Sequence, residues 1–226
     1  MNNSISNRRE FAKGLVLDDG FLPDVFEVML DAWTRVRIPE KGIREPRITA
    51  LWKIQCRIVN QTRYREVGSL FEFDFLHEEQ ENDPDTGKQI SRKDITVRVY
   101  GPNSANSRRR NADYLVVESK KLTGADDITE YIGNDGMLRF ITRKYDPFQS
   151  FVAMAAYVMD GEIDKWKGDV LNRIETSAGL KTIGTDLSWT ILSKHPQHST
   201  TRHTVDNKSI SIHHLFLKSE YMDPKE

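Results

Sequence analysis

Three things are scarce in this chain, and each scarcity closes off a class of function. It has one cysteine, Cys56, in 226 residues. That excludes a disulfide framework within the chain and any zinc site built mainly on thiolates. Cys56 lies in the helical-looking stretch "ALWKIQCRIV", where it reads as a buried structural thiol, without the cationic surroundings that activate a catalytic one. Charge of one sign is also lacking: 33 Lys and Arg stand against 34 Asp and Glu, for a net charge of −1. A uniformly basic nucleic-acid-binding protein would show itself in that sum, although locally clustered charges still permit such binding. Finally, no apolar run reaches membrane-spanning length, and "MNNSISNRREFAKG" carries no apolar signal core. A soluble, cytoplasmic protein with no membrane partner is the expectation.

Several signature loops are missing too. There is no Gly-x-Ser-x-Gly elbow for a serine hydrolase, no phosphate-binding Walker loop and no dinucleotide-binding glycine pattern. ATP hydrolysis by this chain is therefore not expected.

What remains is ordinary globular material. Hydrophobic residues make up 38% and charged residues 30%, enough for one sizeable core under a solvated surface. We find no internal repeat, low-complexity tract or linker, so residues 1–226 read as one domain. Within it, residues 1–15 are expected to be flexible, 45–160 to form the core, and 161–226 to add a C-terminal helix and strands.

Periodicity orders the elements. In "FLPDVFEVMLDAWTRV", Phe21, Val25, Phe26, Met29, Leu30, Trp33 and Val36 recur at helical spacing. "EPRITALWKIQCRIVNQ" predicts a second helix, with Ile48, Leu51, Trp52, Ile54 and Ile58 for burial. The period then changes to two. "SLFEFDFLHE" and "KDITVRVY" alternate as half-buried strands around the turn-rich "ENDPDTGKQ", and "ADYLVVESKKL" completes a meander. "GADDITEYIGNDGMLRFITRKY" reads as a helix with breaks or a wide turn at Gly133 and Gly136. "FVAMAAYVM" predicts a buried strand, and "GEIDKWKGDVLNRIETSAG" an amphipathic helix closed by Gly179. Two further strands, "LSWTILSK" and "SISIHHLFLK", flank a polar loop over 196–207. The class is α/β: a mixed central sheet containing an antiparallel three-strand meander, with helices on its faces.

The end of "ADYLVVESKKL" is the candidate site. Glu-x-Lys alone is weak, since Asp/Glu-x-Lys occurs three times: Glu118-Ser119-Lys120, Asp206-Asn207-Lys208 and Asp223-Pro224-Lys225. Only the first closes an apolar strand. Residues two apart on a strand share a face, so Glu118 and Lys120 project together, on the side of Tyr114 and Val116. If the preceding strand pairs antiparallel, its first residue, Asp94, lies beside them. Two carboxylates are hard oxygen ligands suited to Mg²⁺ or Mn²⁺, which bind together with substrate phosphates. A nearby ammonium can orient water or stabilise developing negative charge.

Asp94 followed one hairpin later by Glu118-Ser119-Lys120 resembles the PD-(D/E)xK superfamily of restriction-endonuclease-like nucleases. The order read from Glu45 to Met159, which is helix, three-strand meander, helix and strand, resembles that family's core and covers about half the chain. The resemblance implies a restriction-endonuclease-like fold and metal-dependent hydrolysis of phosphodiesters, with DNA as the expected substrate. It casts Asp94 and Glu118 as metal ligands, Lys120 as assistant to the attacking water, and Glu45, with Glu66 behind it, as the carboxylate of the first core helix. Lys93 stands where the family name has Pro. The literal Pro-Asp pairs, Pro23-Asp24 and Pro84-Asp85, fall at a helix start and in a turn. Target choice would come from a protein partner or homo-oligomer, as in the nuclease subunit of a prokaryotic defence or repair system. The alternative is a catalytically inactive module of the same fold that binds nucleic acid or a partner protein.

Basic residues flank this site. Arg108, Arg109 and Arg110 precede the strand, and Lys121, Arg139, Arg143 and Lys144 follow it. They read either as contacts to a phosphate backbone or as solvated and locally paired charges. His195, His198 and His203 lie in the polar loop without matching carboxylate spacing, and read as solvated or substrate-contacting rather than metal-binding. His213 and His214 face opposite ways, which leaves room for one at most in the core.

Overall fold

The structure is a computed structural model. It describes residues 22–40, 42–67, 72–82, 89–100, 113–142, 151–177, 180, 182–185, 195–205 and 208–221. Its elements are α1 (Leu22–Trp33), α2 (Glu45–Val67), β1 (Glu72–Asn82), β2 (Gln89–Tyr100), β3 (Asp113–Leu122), α3 (Ala125–Ile132), α4 (Leu138–Ile141), β4 (Phe151–Val158), α5 (Ile163–Thr176), β5 (Thr182–Thr185), β6 (His198–Val205) and β7 (Lys208–Lys218).

The strands form one seven-stranded mixed sheet in the order β1-β2-β3-β4-β7-β6-β5. β1, β2 and β3 make the antiparallel meander; β3, β4 and β7 run parallel, and β6 and β5 return antiparallel. Parallel neighbours need crossover connections, which is where α3, α4 and α5 fall. β4 lies at the centre and is buried along nearly its whole length. Its sequence, FVAMAAYV, lacks the polar alternation of a half-exposed strand because both faces are covered.

Two hydrophobic layers result. On one face, α1 and α2 pack Phe26, Trp33, Trp52 and Cys56 against Phe75, Val97, Val117, Ala155 and Tyr157. On the other, α3, α4 and α5 pack Tyr131, Phe140, Trp166, Val170 and Ile174 against Val116, Met154, Ala156 and Phe216. The indoles are tied as well as buried: Trp52 Nε1 donates to the Met29 carbonyl at 2.9 Å and Trp33 Nε1 to that of Lys218 at 2.7 Å. Trp33 stacks on Tyr157 at 5.2 Å, while Trp52 meets both rings edge-on.

Some expectations are corrected. On α2 the buried stripe runs through Ile48, Trp52, Cys56 and Val59, whereas Ile54 and Ile58 are exposed. Steps of three and four from Trp52 reach Cys56 and Val59 and leave those isoleucines on the far side. The His-bearing segment expected as a loop contains β6, in register with β7 from His198↔Leu215 to Val205↔Lys208. Thr201 ties its buried side chains together, with Oγ1 2.8 Å from His203 Nε2 on the same strand and 2.8 Å from His214 Nε2 across on β7. His213 and His214 are both fully buried, one on each side of a strand covered on both faces. Tyr114 does not share the face of Val116. The β2–β3 register shifts between Val97 and Arg98, so Tyr114 is skipped as a bulge and joins the layer of α1 and α2. α5 ends at Thr176, where Ser177 N–H bonds the Ile174 carbonyl; Gly179, the "LSWTILSK" strand and residues 1–15 lie outside the described residues. None of the helices among the described residues is long and apolar enough to cross a membrane.

Candidate active site

β2 begins at Gln89, so Asp94 is not its first residue but lies mid-strand, and antiparallel pairing with Ile95 opposite Val117 brings it to the C-terminal half of β3. Asp94 Oδ2 accepts the Ser119 N–H at 2.7 Å, inside the Glu118-Ser119-Lys120 tripeptide. Glu118 is a buried carboxylate with a side-chain exposure of 2%. Its Oε1 receives Lys120 Nζ and Arg139 Nη1, each at 3.1 Å. A solvated strand end would leave this carboxylate in water; here it is compensated by two cations, as a buried charge requires.

Glu45 comes from the opposite side. As the first residue of α2, its carboxylate lies at the positive end of the helix dipole. Its Oε2 accepts the Lys121 N–H at 3.0 Å and its Oε1 lies 3.5 Å from Lys120 Nζ. The four residues Glu45, Asp94, Glu118 and Lys120 are thus gathered at one end of the sheet. Glu66 stands near the far end of the same helix, about 30 Å along its axis.

A buried hydroxyl chain sets the spacing between α2 and the sheet. Thr49 Oγ1 donates to the Glu45 carbonyl at 3.1 Å, and is 2.9 Å from the Tyr157 hydroxyl. That hydroxyl donates to Ser119 Oγ at 3.2 Å. Ser119, on the face opposite Glu118 and Lys120, therefore links the site's backbone to β4 and to the first turn of α2. Neither Thr49, Ser119 nor Tyr157 is visible as a site residue in the sequence, because their meeting depends on the parallel register of β3 and β4.

The electrostatics follow from burial and crowding. Burial raises the pKa of Glu45 above the ordinary carboxylate range; Lys120 opposes this and Asp94 adds to it. For Lys120, burial acts to lower the pKa, but Glu118, Glu45 and Asp94 together outweigh it and hold the ammonium above its usual value. Lys120 thus stays charged through neutral pH. Its chemical use is that of a fixed cation that can donate hydrogen bonds, not of a general base.

The basic residues divide. Arg139 is in the site, reaching Glu118 from α4, with Nη2 3.1 Å from Asp135. Its approach depends on the turn before α4: a Cβ on Gly136 would lie 2.1 Å from the Tyr131 carbonyl oxygen, so only glycine fits there. Lys121 is engaged locally, with Nζ donating to the Ile43 carbonyl at 3.3 Å. Arg108, Arg109, Arg110, Arg143 and Lys144 lie outside the described residues.

Among the described residues, no group of three or more His, Cys, Asp or Glu side chains is arranged as a ready-made metal cage. Mg²⁺ does not require one, since it commonly takes one or two carboxylates and fills its remaining positions with water and substrate phosphate. Asp94, against the Ser119 N–H, and Glu118 and Glu45, both against Lys120 Nζ, are the carboxylates at this end of the sheet. Compared with models of protein families, with curated proteins and with solved structures, the chain matches none.

Proposed function

We propose that this chain is a divalent-cation-dependent nuclease of the restriction-endonuclease-like kind, hydrolysing phosphodiester bonds, with DNA as its substrate. The observation that carries the reading is the gathering of Glu118 and Glu45 on the part-buried ammonium of Lys120, with Asp94 bonded to the adjacent Ser119 N–H. The order of α2, the meander β1–β3, the α3–α4 crossover and parallel β4 supports the fold side of the same reading.

Asp94 and Glu118 are the residues that would hold Mg²⁺ or Mn²⁺. When bound, such a cation polarises the phosphodiester and makes water a stronger acid. The chain's own residues do the rest. Lys120 presents a fixed positive charge, held between Glu118 and Glu45, where negative charge accumulates as the phosphodiester is attacked. Glu45, with its raised pKa, accepts a proton more readily than an ordinary carboxylate and borders the same ammonium. The Thr49–Tyr157–Ser119 chain and the Asp94 bond to the Ser119 N–H hold these groups in place before substrate arrives.

Target selection by a partner subunit or by a second copy, as in a defence or repair nuclease, belongs to the same proposal. The test is incubation with supercoiled plasmid, linear duplex and single-stranded RNA in Mg²⁺ or Mn²⁺. Nicking or cutting of DNA that EDTA abolishes is expected. Cleavage that survives EDTA would refute the cation's role, and cleavage of RNA alone would refute the substrate.

A further inference from the structure

Arg139 occupies ground that a cation on Glu118 would need. Its Nη1 lies 3.1 Å from Glu118 Oε1, the same oxygen that Lys120 Nζ approaches at 3.1 Å. A divalent cation bound by that carboxylate would meet two positive heads beside a buried oxygen, where solvent screens little. One head must give way for the cation to be held tightly.

The fold distinguishes the two. Lys120 is on β3, two residues from Glu118, and Glu45 holds it from the other side at 3.5 Å. Arg139 belongs to the four-residue helix α4, and its Nη2 is already 3.1 Å from Asp135, a carboxylate that is 80% exposed. A guanidinium with one end on a buried carboxylate and the other on a surface carboxylate can exchange the first for a substrate phosphate while keeping the second.

We propose that Arg139 gates cation loading: it competes with the divalent cation for Glu118, and a substrate phosphate that draws it outward lets the cation bind. The inference rests on the reading that Asp94 and Glu118 hold that cation. By linkage, cation and nucleic acid then favour each other's binding, so the site loads fully only when a strand is present. The free enzyme stays under-loaded at cation concentrations that saturate the complex.

The test is Mn²⁺ titration of the full chain without nucleic acid, with free Mn²⁺ read by electron paramagnetic resonance, on wild type and on Arg139→Gln, Arg139→Met, Arg139→Lys and Glu118→Gln. Removing a charge-assisted bond of this kind is expected to tighten Mn²⁺ binding about tenfold in Arg139→Gln and Arg139→Met. Arg139→Lys, which restores the charge, should return toward wild-type affinity, and Glu118→Gln should lose binding. Arg139→Met keeps the aliphatic stem, so it carries the test if Arg139→Gln fails to fold. A merely structural arginine would not strengthen cation binding when removed. Equal affinity in wild type and both neutral variants, with binding still lost in Glu118→Gln, overturns the gate and leaves the metal site standing. No Mn²⁺ binding by wild type or any Arg139 variant overturns both.

Discussion

Lowering the pH from about 7.5 to about 5 is expected to remove a large part of this protein's stability. The cause lies away from the candidate site, on β6 and β7. His203, His213 and His214 are buried, and His198 is partly so. Burial lowers the pKa of His203 to about 4 and that of His213 to about 3, with His198 adding to the latter. His198 falls to about 4 through burial, Lys167 and His195, and His214 lies well below its ordinary value through burial and the other three histidines. Phe26 packs against the His198 and His213 rings at 5.4 and 5.0 Å, and the Tyr131 hydroxyl lies 2.9 Å from His214 Nδ1.

The sign follows from proton counting. An unfolded histidine takes up its proton near pH 6.5, while these take theirs only near pH 4 or below. Between those values the unfolded chain binds more protons, so stability is full above about pH 6.5 and falls as the pH falls. At pH 5 each such histidine costs about 2 kcal/mol, so His203 and His213 together cost about 4 kcal/mol. His198 and His214 act in the same direction, and the raised pKa of Glu45 opposes them. Urea unfolding followed by circular dichroism at both pH values measures the difference, and a His203→Gln/His213→Gln variant should flatten it. Unfolding free energies within about 1 kcal/mol of each other at the two pH values would refute the reasoning.

Three other changes test the framework of the site. Tyr157→Phe removes the hydroxyl between Thr49 and Ser119 and should cost about 1–3 kcal/mol in urea unfolding; an unchanged midpoint would mean that the chain of hydroxyls does not hold α2 to β3. Gly136→Ala puts a methyl against the Tyr131 carbonyl and should lower the melting temperature markedly; a melting temperature equal to wild type would show that the turn before α4 yields freely. Glu118→Ala removes the carboxylate that Lys120 and Arg139 share, leaving Lys120 to Glu45 and Arg139 to Asp135, and should destabilise by about 1–3 kcal/mol, whereas a stabilised variant would mean that the carboxylates repel more than they bind.

The parts of this molecule that could be read from the sequence are those set by local period. Alternation in "KDITVRVY" and "ADYLVVESKKL" gives two strands, and taking them as antiparallel neighbours is enough to place Asp94 against the Glu118-Ser119-Lys120 segment. The sheet in which they sit was legible as a class. Its far half was not, because β6 is written in Thr, His and Arg, and those residues are strand-like only once their partners on β7 are known. Tyr114 shows the limit of alternation, since one bulged residue reverses its face. Arg139 was legible as a basic residue near the site. Its pairing with Glu118 depends on the Gly133–Met137 turn, where Met137 N–H bonds the Tyr131 carbonyl at 2.8 Å, and no spacing rule supplies that. In the sequence, Glu45 is marked only by its position at the start of the first core helix. Its contact with Lys120 depends on how the start of α2 meets the end of β3.

The central claim is that Asp94, Glu118 and Lys120 form one cation-dependent cleaving site, and single-turnover cleavage of plasmid in Mg²⁺ tests it most directly. Wild type, Asp94→Asn and Lys120→Met should be compared, with Lys218→Gln, which removes a surface pair with Glu162, as the control. The account predicts that Asp94→Asn and Lys120→Met each lose about a hundredfold or more in rate while Lys218→Gln cleaves like wild type. Equal rates in all four proteins would contradict it.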